Sequence, residues 1–169
     1  MNDCIGIILA RTGSRRVKNK NFLKINSKYI FEYPIIEANK TNRFSKIIIS
    51  ANKKKNQLIK NLSKKKEYKN KLIFHGRSNE MSKNNFHMIK IVKHILNSYL
   101  VKNLKFRYVF MIYSTAILIK KNDFLNMLKI IKKNEKNNNG CSVQTICKYP
   151  APIEWALKID KKNLLTNKF

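Results

Sequence analysis

Three of the six arginines in this 169-residue chain, Arg11, Arg15 and Arg16, fall within six residues of one another, beside Gly13 and Ser14. A guanidinium meets phosphate oxygens two at a time through charge-assisted hydrogen bonds. Glycine lets backbone come close to a ligand, and serine adds a hydroxyl and an amide, so the cluster has the chemistry of a polyphosphate cradle. It lacks the closing Gly-Lys-Ser/Thr of a Walker loop. The alternative is an ordinary solvated basic loop, which its place directly after an apolar run disfavours. Elsewhere the reactive residue types are scattered. Cys4, Cys141 and Cys147 show no Cys-x-x-Cys pair and read as small hydrophobes. His75, His87 and His94 form no metal-ligand pattern and read as structural or solvated. The nine acids never stand adjacent to or two residues from one another, so no paired-carboxylate metal site is visible.

The elements that would position the cradle alternate in type. Cys4–Ala10 is a continuous apolar run with the character of a buried parallel strand. Further strands are expected at Lys46–Ala51, Lys71–His75, Arg107–Tyr113, Gly140–Cys147 and Trp155–Ile159. Helical spacing covers Ile30–Asn39, with Pro34 tolerable only near its first turn, then Lys54–Lys66, Asn84–Leu100 and Asn122–Lys133. In the third helix Ile89, Val92, Leu96 and Tyr99 form a stripe, widened by Met88, Ile91 and Ile95. Strand and helix in this alternation predict a single α/β domain over residues 1–169, with a mainly parallel sheet between two helical layers. Ligands bind such sheets at the carboxyl ends of the strands. Arg11–Asn21, Gly76–Asn84 and Ser114–Leu118 should therefore converge.

Charge is the loudest compositional feature. Lys and Arg total 37 against nine acids, a formal net charge of +28. Only six are arginine, and asparagine and isoleucine are abundant too, which points to compositional drift rather than a nucleic-acid surface. No specific nucleic-acid partner is expected. The longest uncharged stretch, Tyr108–Ile119, is far short of a membrane span. No signal peptide is apparent, so the expected compartment is the cytoplasm.

The loop Ala10-Arg11-Thr12-Gly13-Ser14-Arg15-Arg16-Val17-Lys18-Asn19-Lys20-Asn21 resembles the signature of the acylneuraminate cytidylyltransferases. Lys46-Ile47-Ile48-Ile49-Ser50 resembles that family's second strand, and Arg77-Ser78-Asn79-Glu80-Met81-Ser82 its Arg-Pro-x-Glu-Leu-Ser segment. Ile112-Tyr113-Ser114-Thr115-Ala116, Ser142-Val143 and Pro152–Ile159 resemble the pseudaminic acid branch. The resemblance implies a Rossmann-like fold of the nucleotide-diphospho-sugar transferase type. It also implies transfer of CMP from CTP to a nine-carbon sugar acid, with Mg²⁺ as cofactor. Arg11, Arg15 and Lys20 would then be catalytic. Arg11, Gly13, Ser14, Arg15 and Asn21 would hold the triphosphate and ribose, and Arg77, Glu80 and Ser82 would lie near the cytosine. Tyr113 and Thr115 would border the sugar. Asn52 and Asn84 stand where the family carries acids. The family's metal-binding Asp pair and dimerisation segment would lie beyond Phe169, so a homodimer is expected only with that part present. A nucleotide-binding descendant without turnover, or a polyanion-binding α/β protein, remains open beside the enzyme.

Overall fold

The computed structural model describes residues 2–14, 17–68, 71–83, 86–135, 141–146, 157–159 and 165–167. These fall into two compact units, Met1–Leu128 and Lys129–Phe169. The first unit is built on four parallel strands, β1 (Cys4–Leu9), β4 (Phe44–Asn52), β5 (Leu72–Arg77) and β6 (Tyr108–Ile112), in the order β5-β4-β1-β6. A two-residue ribbon, β2 (Lys24–Ile25) with β3 (Lys28–Tyr29), follows the first loop. Its turn has Asn26 and Ser27 at φ of 45° and 66°, the left-handed pair that matches a tight hairpin.

The central strands are apolar on both faces because both are covered. Ile5, Ile7, Ile8, Ile47, Ile48 and Ile49 are completely buried. On one side Ile5, Ile7 and Ile48 pack with Ile91 and Ile95 of α3 (Met88–Leu96) and with Val101 of α4 (Tyr99–Lys102). On the other side Phe44, Phe110 and Phe124 meet edge to face, with centroids 5.1–5.9 Å apart. Phe124 comes from α5 (Lys121–Asn134). Helices α1 (Glu32–Asn39) and α2 (Asn56–Ser63) complete the layers; in α2 only Ile59 and Leu62 are buried. Buried Glu32 accepts from the Tyr29 amide at 2.7 Å and the Tyr68 hydroxyl at 2.9 Å, fastening α1 to the ribbon and to the turn after α2.

Two sequence expectations need correction. The helix expected over Asn84–Leu100 is two helices. α3 ends at Leu96, where the Ser98 hydroxyl turns back onto the Ile95 carbonyl at 2.7 Å, and α4 restarts at Tyr99. The inward stripe therefore centres on Ile91 and Ile95, while Ile89 and Tyr99 are 67% and 84% exposed. Residues 141–146 form no strand, since no ladder partner lies beside them among the described residues; positions 140 and 147 lie outside those. In the second unit β7 (Leu157–Ile159) pairs with β8 (Leu165–Asn167) as an antiparallel ribbon. The expected strand there began at Trp155, which lies outside the described residues.

Candidate active site

The chain runs from β1 to β4 to β5 on one flank, then returns to place β6 on the other flank of β1. Strand order thus reverses between β1 and β6, and the crevice beyond their carboxyl ends is where open α/β sheets bind ligands. The loops after β1, β5 and β6 do meet there, around an open cleft of about 840 Å³.

The loop after β1 is fixed at both ends. Ala10 donates its amide to the Ser50 carbonyl at 2.9 Å, which keeps the loop's start on the sheet. Its far end is a short 3-10 turn, Lys20–Phe22, entered through Asn19 at φ 52°. Phe22 anchors that turn against Phe31 and beneath the Lys55 ammonium, 4.6 Å from the ring centre. Asn21 is buried; its amide donates to the Arg11 carbonyl at 2.7 Å, and its oxygen accepts from Ser114 at 2.8 Å. Arg11, Ser14 and Lys20 line the cleft. The Ser14 amide turns onto the Thr12 carbonyl at 3.0 Å. A side chain at Gly13 would meet no atom of the described residues beyond its chain neighbours within 4 Å. Arg15 and Arg16 lie outside the described residues.

From β5, Arg77 reaches the cleft floor while only 4% exposed. Its Nε donates to Ser50 Oγ at 2.9 Å and its terminal nitrogen to the Ser50 carbonyl at 3.0 Å. Burial, and then the nearby Arg11 charge, pull its pKa down to about 10, so it stays cationic at neutral pH. A buried cation ordinarily has an anionic partner. Among the described residues Arg77 has none. Glu80 and Ser82 share the following 3-10 turn, but the residues it turns toward the cleft are Met81 and Lys83. Ser82 instead donates to the Ser78 carbonyl at 2.9 Å. After β6, Tyr113 and Thr115 stand at the mouth, Tyr113 58% exposed, with Ser114 buried between them.

Four cations, Arg11, Lys20, Arg77 and Lys83, therefore face one cleft whose described lining contains no acid. An apolar wall of Met81, Phe86, Met88 and Ile91 stands beside them. Sequence reasoning had not singled out Lys83, Ser114 or this wall. Lys83 carries no signal among so many lysines; in the sequence Met88 and Ile91 read as helix stripe, Met81 as part of the Arg77–Ser82 segment, and Phe86 has no reading.

The Mg²⁺ implied by the resemblance prefers oxygen ligands that include carboxylates. The lining offers none, and no three His, Cys, Asp or Glu side chains gather as a metal site among the described residues. Asn52, where an acid was expected, accepts from the Lys54 amide at 3.0 Å. The described residues do not fit the ion; Asn84 lies outside them.

Comparison with known proteins decides the family. The cytidylyltransferase family matches residues 5–163. The chain belongs to that family. No curated protein matches it in sequence. Among solved structures, CMP:2-keto-3-deoxy-manno-octonic acid synthetase complexed with CTP is 14% identical, with a TM-score of 0.56 over 79% of this chain and 48% of that one. The 4-diphosphocytidyl-2C-methyl-D-erythritol synthase of Anaerococcus prevotii DSM 20548 is 11% identical, TM-score 0.57, over 98% of this chain and 63% of that one. Rv0371c of Mycobacterium tuberculosis H37Rv is 7% identical, TM-score 0.51, over 76% and 60%. At these identities the likeness is one of fold, the Rossmann-like α/β arrangement of nucleotidyltransferases. This cytidylyltransferase-family chain spans from about half to under two thirds of the length of those structures. No helix among its described residues is long and apolar enough to cross a membrane.

Proposed function

We propose that the cleft binds CTP and passes its CMP to a hydroxyl of a nine-carbon sugar acid of the pseudaminic or N-acylneuraminic type. The hydroxyl oxygen bonds to the α-phosphorus, the α–β bridging bond breaks, pyrophosphate leaves and the hydroxyl proton goes to solvent. Such transfers depend chiefly on positioning and on neutralising phosphate charge. The observation that carries the reading is the cluster of Arg11, Lys20, Arg77 and Lys83 at the strand-order reversal, with no acid in the described lining. Family membership and the neighbour described with CTP support the choice of nucleotide. Arg11, Arg15 and Lys20 would grip the triphosphate with Gly13, Ser14 and Asn21. Arg77 would face the nucleotide from the turn that holds Glu80 and Ser82, and Tyr113 and Thr115 would border the sugar acid. Mg²⁺ belongs to the proposal through the family alone.

A second reading is a nucleotide binder without turnover, favoured by the absence of a carboxylate in the described lining. One experiment separates the two. Thermal shift with CTP, UTP, ATP and GTP, with and without Mg²⁺, is followed by pyrophosphate release with pseudaminic, neuraminic or legionaminic acid. CTP-selective stabilisation with turnover supports the transferase; stabilisation without turnover supports the binder. No stabilisation by any nucleotide defeats both.

A further inference from the structure

Behind Arg77 lies a buried polar chain that the proposed reaction does not use. Ser50, at the end of β4, is fully buried, and His75 and Arg77 on β5 are 5% and 4% exposed. Ser50 Oγ stands 2.9 Å from Arg77 Nε and 3.0 Å from His75 Nδ1. Both β5 side chains point to the same face of the sheet as Ser50, because His75 and Arg77 are two residues apart and Ser50 pairs with His75 in register.

The proton inventory fixes one end of this chain. A guanidinium only donates, so Ser50 Oγ must accept from Arg77. The hydroxyl's own proton then has His75 Nδ1 within reach. If Nδ1 accepts, the imidazole carries its proton on Nε2. A protonated imidazole would set a second cation beside Arg77. Burial, with the charges of His94 and Arg77, pushes the His75 pKa down to about 4, which agrees with a neutral ring. The His94 ring of α3 packs edge to face against it, with centroids 5.3 Å apart.

We propose that Ser50 and His75 are positioning residues for Arg77. The His75 ring accepts a hydrogen bond from the Ser50 hydroxyl, turns the Ser50 oxygen toward Arg77 Nε, and so aims the rest of the guanidinium into the cleft. The Ser50 carbonyl, bonded to the terminal nitrogen, supplies the second fixed point. With its inner edge held twice, the planar group has only its outer N–H bonds left to offer a ligand. Preorganisation of this kind lowers the ordering cost of binding. The inference rests on the reading of Arg77 as a group that contacts CTP, but the device itself is present without ligand.

The test therefore has two independent readouts. In the ligand-free chain, nitrogen NMR of His75 should show an unprotonated Nδ1 and a protonated Nε2. The Arg77 Nε–H signal should be protected from exchange, and His75→Phe or Ser50→Ala should speed that exchange at least about tenfold. His75→Asn, whose side-chain oxygen replaces Nδ1 as acceptor, should restore the protection. An Nδ1-protonated ring, or exchange that no substitution changes, overturns the proposal. In calorimetry, His75→Phe should weaken CTP about tenfold and His75→Asn by less than about threefold, the scale of one hydrogen bond to a charged group. In an Arg77→Met background His75→Phe should cost no further affinity. A full additional loss in that background overturns the proposal, because a merely structural histidine would act independently of Arg77. Absence of CTP binding by the unaltered chain would count against the proposed function and leave the NMR signature to decide the positioning.

Discussion

Ser114 donates its hydroxyl to Asn21 Oδ1 at 2.8 Å, joining residues 93 positions apart in the chain. Both side chains are buried, at 5% exposure each. Because Asn21 also holds the Arg11 carbonyl, one side-chain amide ties the loop after β1 to the loop after β6, across the point where the strand order reverses. The clasp sets the spacing between the proposed triphosphate and sugar-acid subsites.

Ser114→Ala should therefore act on both stability and binding. It leaves a buried carbonyl oxygen without its donor, a loss of about 1–3 kcal/mol. Urea unfolding should show a lower midpoint with an unchanged slope. CTP affinity should fall as well, since Arg11 would no longer be held at a fixed distance from Thr115. An unchanged midpoint would show that the two loops are fixed by other means.

Arg11→Ala should weaken CTP binding by about 1.5–3 kcal/mol, the scale of a charge-assisted hydrogen bond. Arg11→Lys should recover part of that through charge alone. Isothermal calorimetry at one fixed salt concentration measures both. Equal affinity in all three proteins would remove this loop from the ligand site.

His75 makes stability depend on pH in a definite direction. Its pKa falls from an ordinary 6.5 to about 4 in the fold, so below about pH 6.5 the unfolded chain binds a proton that the folded chain refuses. The native state keeps its full margin above pH 6.5 and loses it as the pH drops toward 4, by at most about 1.4 kcal/mol per unit for one proton. Chemical denaturation at pH 7.5, 6, 5 and 4.5 should show this slope, and His75→Asn should flatten it. A slope that survives the substitution would assign the effect to carboxylates.

The lysine excess should give only weak nucleic-acid binding without sequence preference. Affinity resting on counterion release falls steeply with salt. Fluorescence anisotropy with several DNA and RNA sequences at low and physiological salt tests this. A preference for one sequence that persists at the higher salt would reverse the reading of the composition.

The sheet was legible because its strands carry apolar runs: Cys4–Ala10 could hardly be anything but a central strand, and the cleft position followed from the carboxyl ends of the strands, while their order emerged only from the structure. The α3–α4 break was not legible. Ile89 and Tyr99 fit a helical period, and the extended Ser98, whose amide and hydroxyl both turn onto the Ile95 carbonyl, reveals that the helix ends between them. The ribbon at Lys24–Tyr29 was missed because two residues per strand leave no alternation to read, and its signal was the turn pair Asn26-Ser27. In the cleft, Arg11, Ser14, Lys20, Asn21, Arg77, Tyr113 and Thr115 do come together. The double role of Asn21 and the burial of Arg77 are properties of contact between distant segments, which spacing along a chain does not encode.

Four like charges converging on an acid-free lining also bear on how long the molecule lasts. The Arg11 charge works against the buried Arg77 cation, and the described lining supplies no acid beside it. A bound polyanion relieves that repulsion and stabilises the native state by mass action, about 2.7 kcal/mol when ligand stands at 100 times its dissociation constant. Occupancy and folding are thus one equilibrium. Should the proposed nucleotide occupy the cleft, a shortage of it would raise the unfolded fraction, the form that proteases attack.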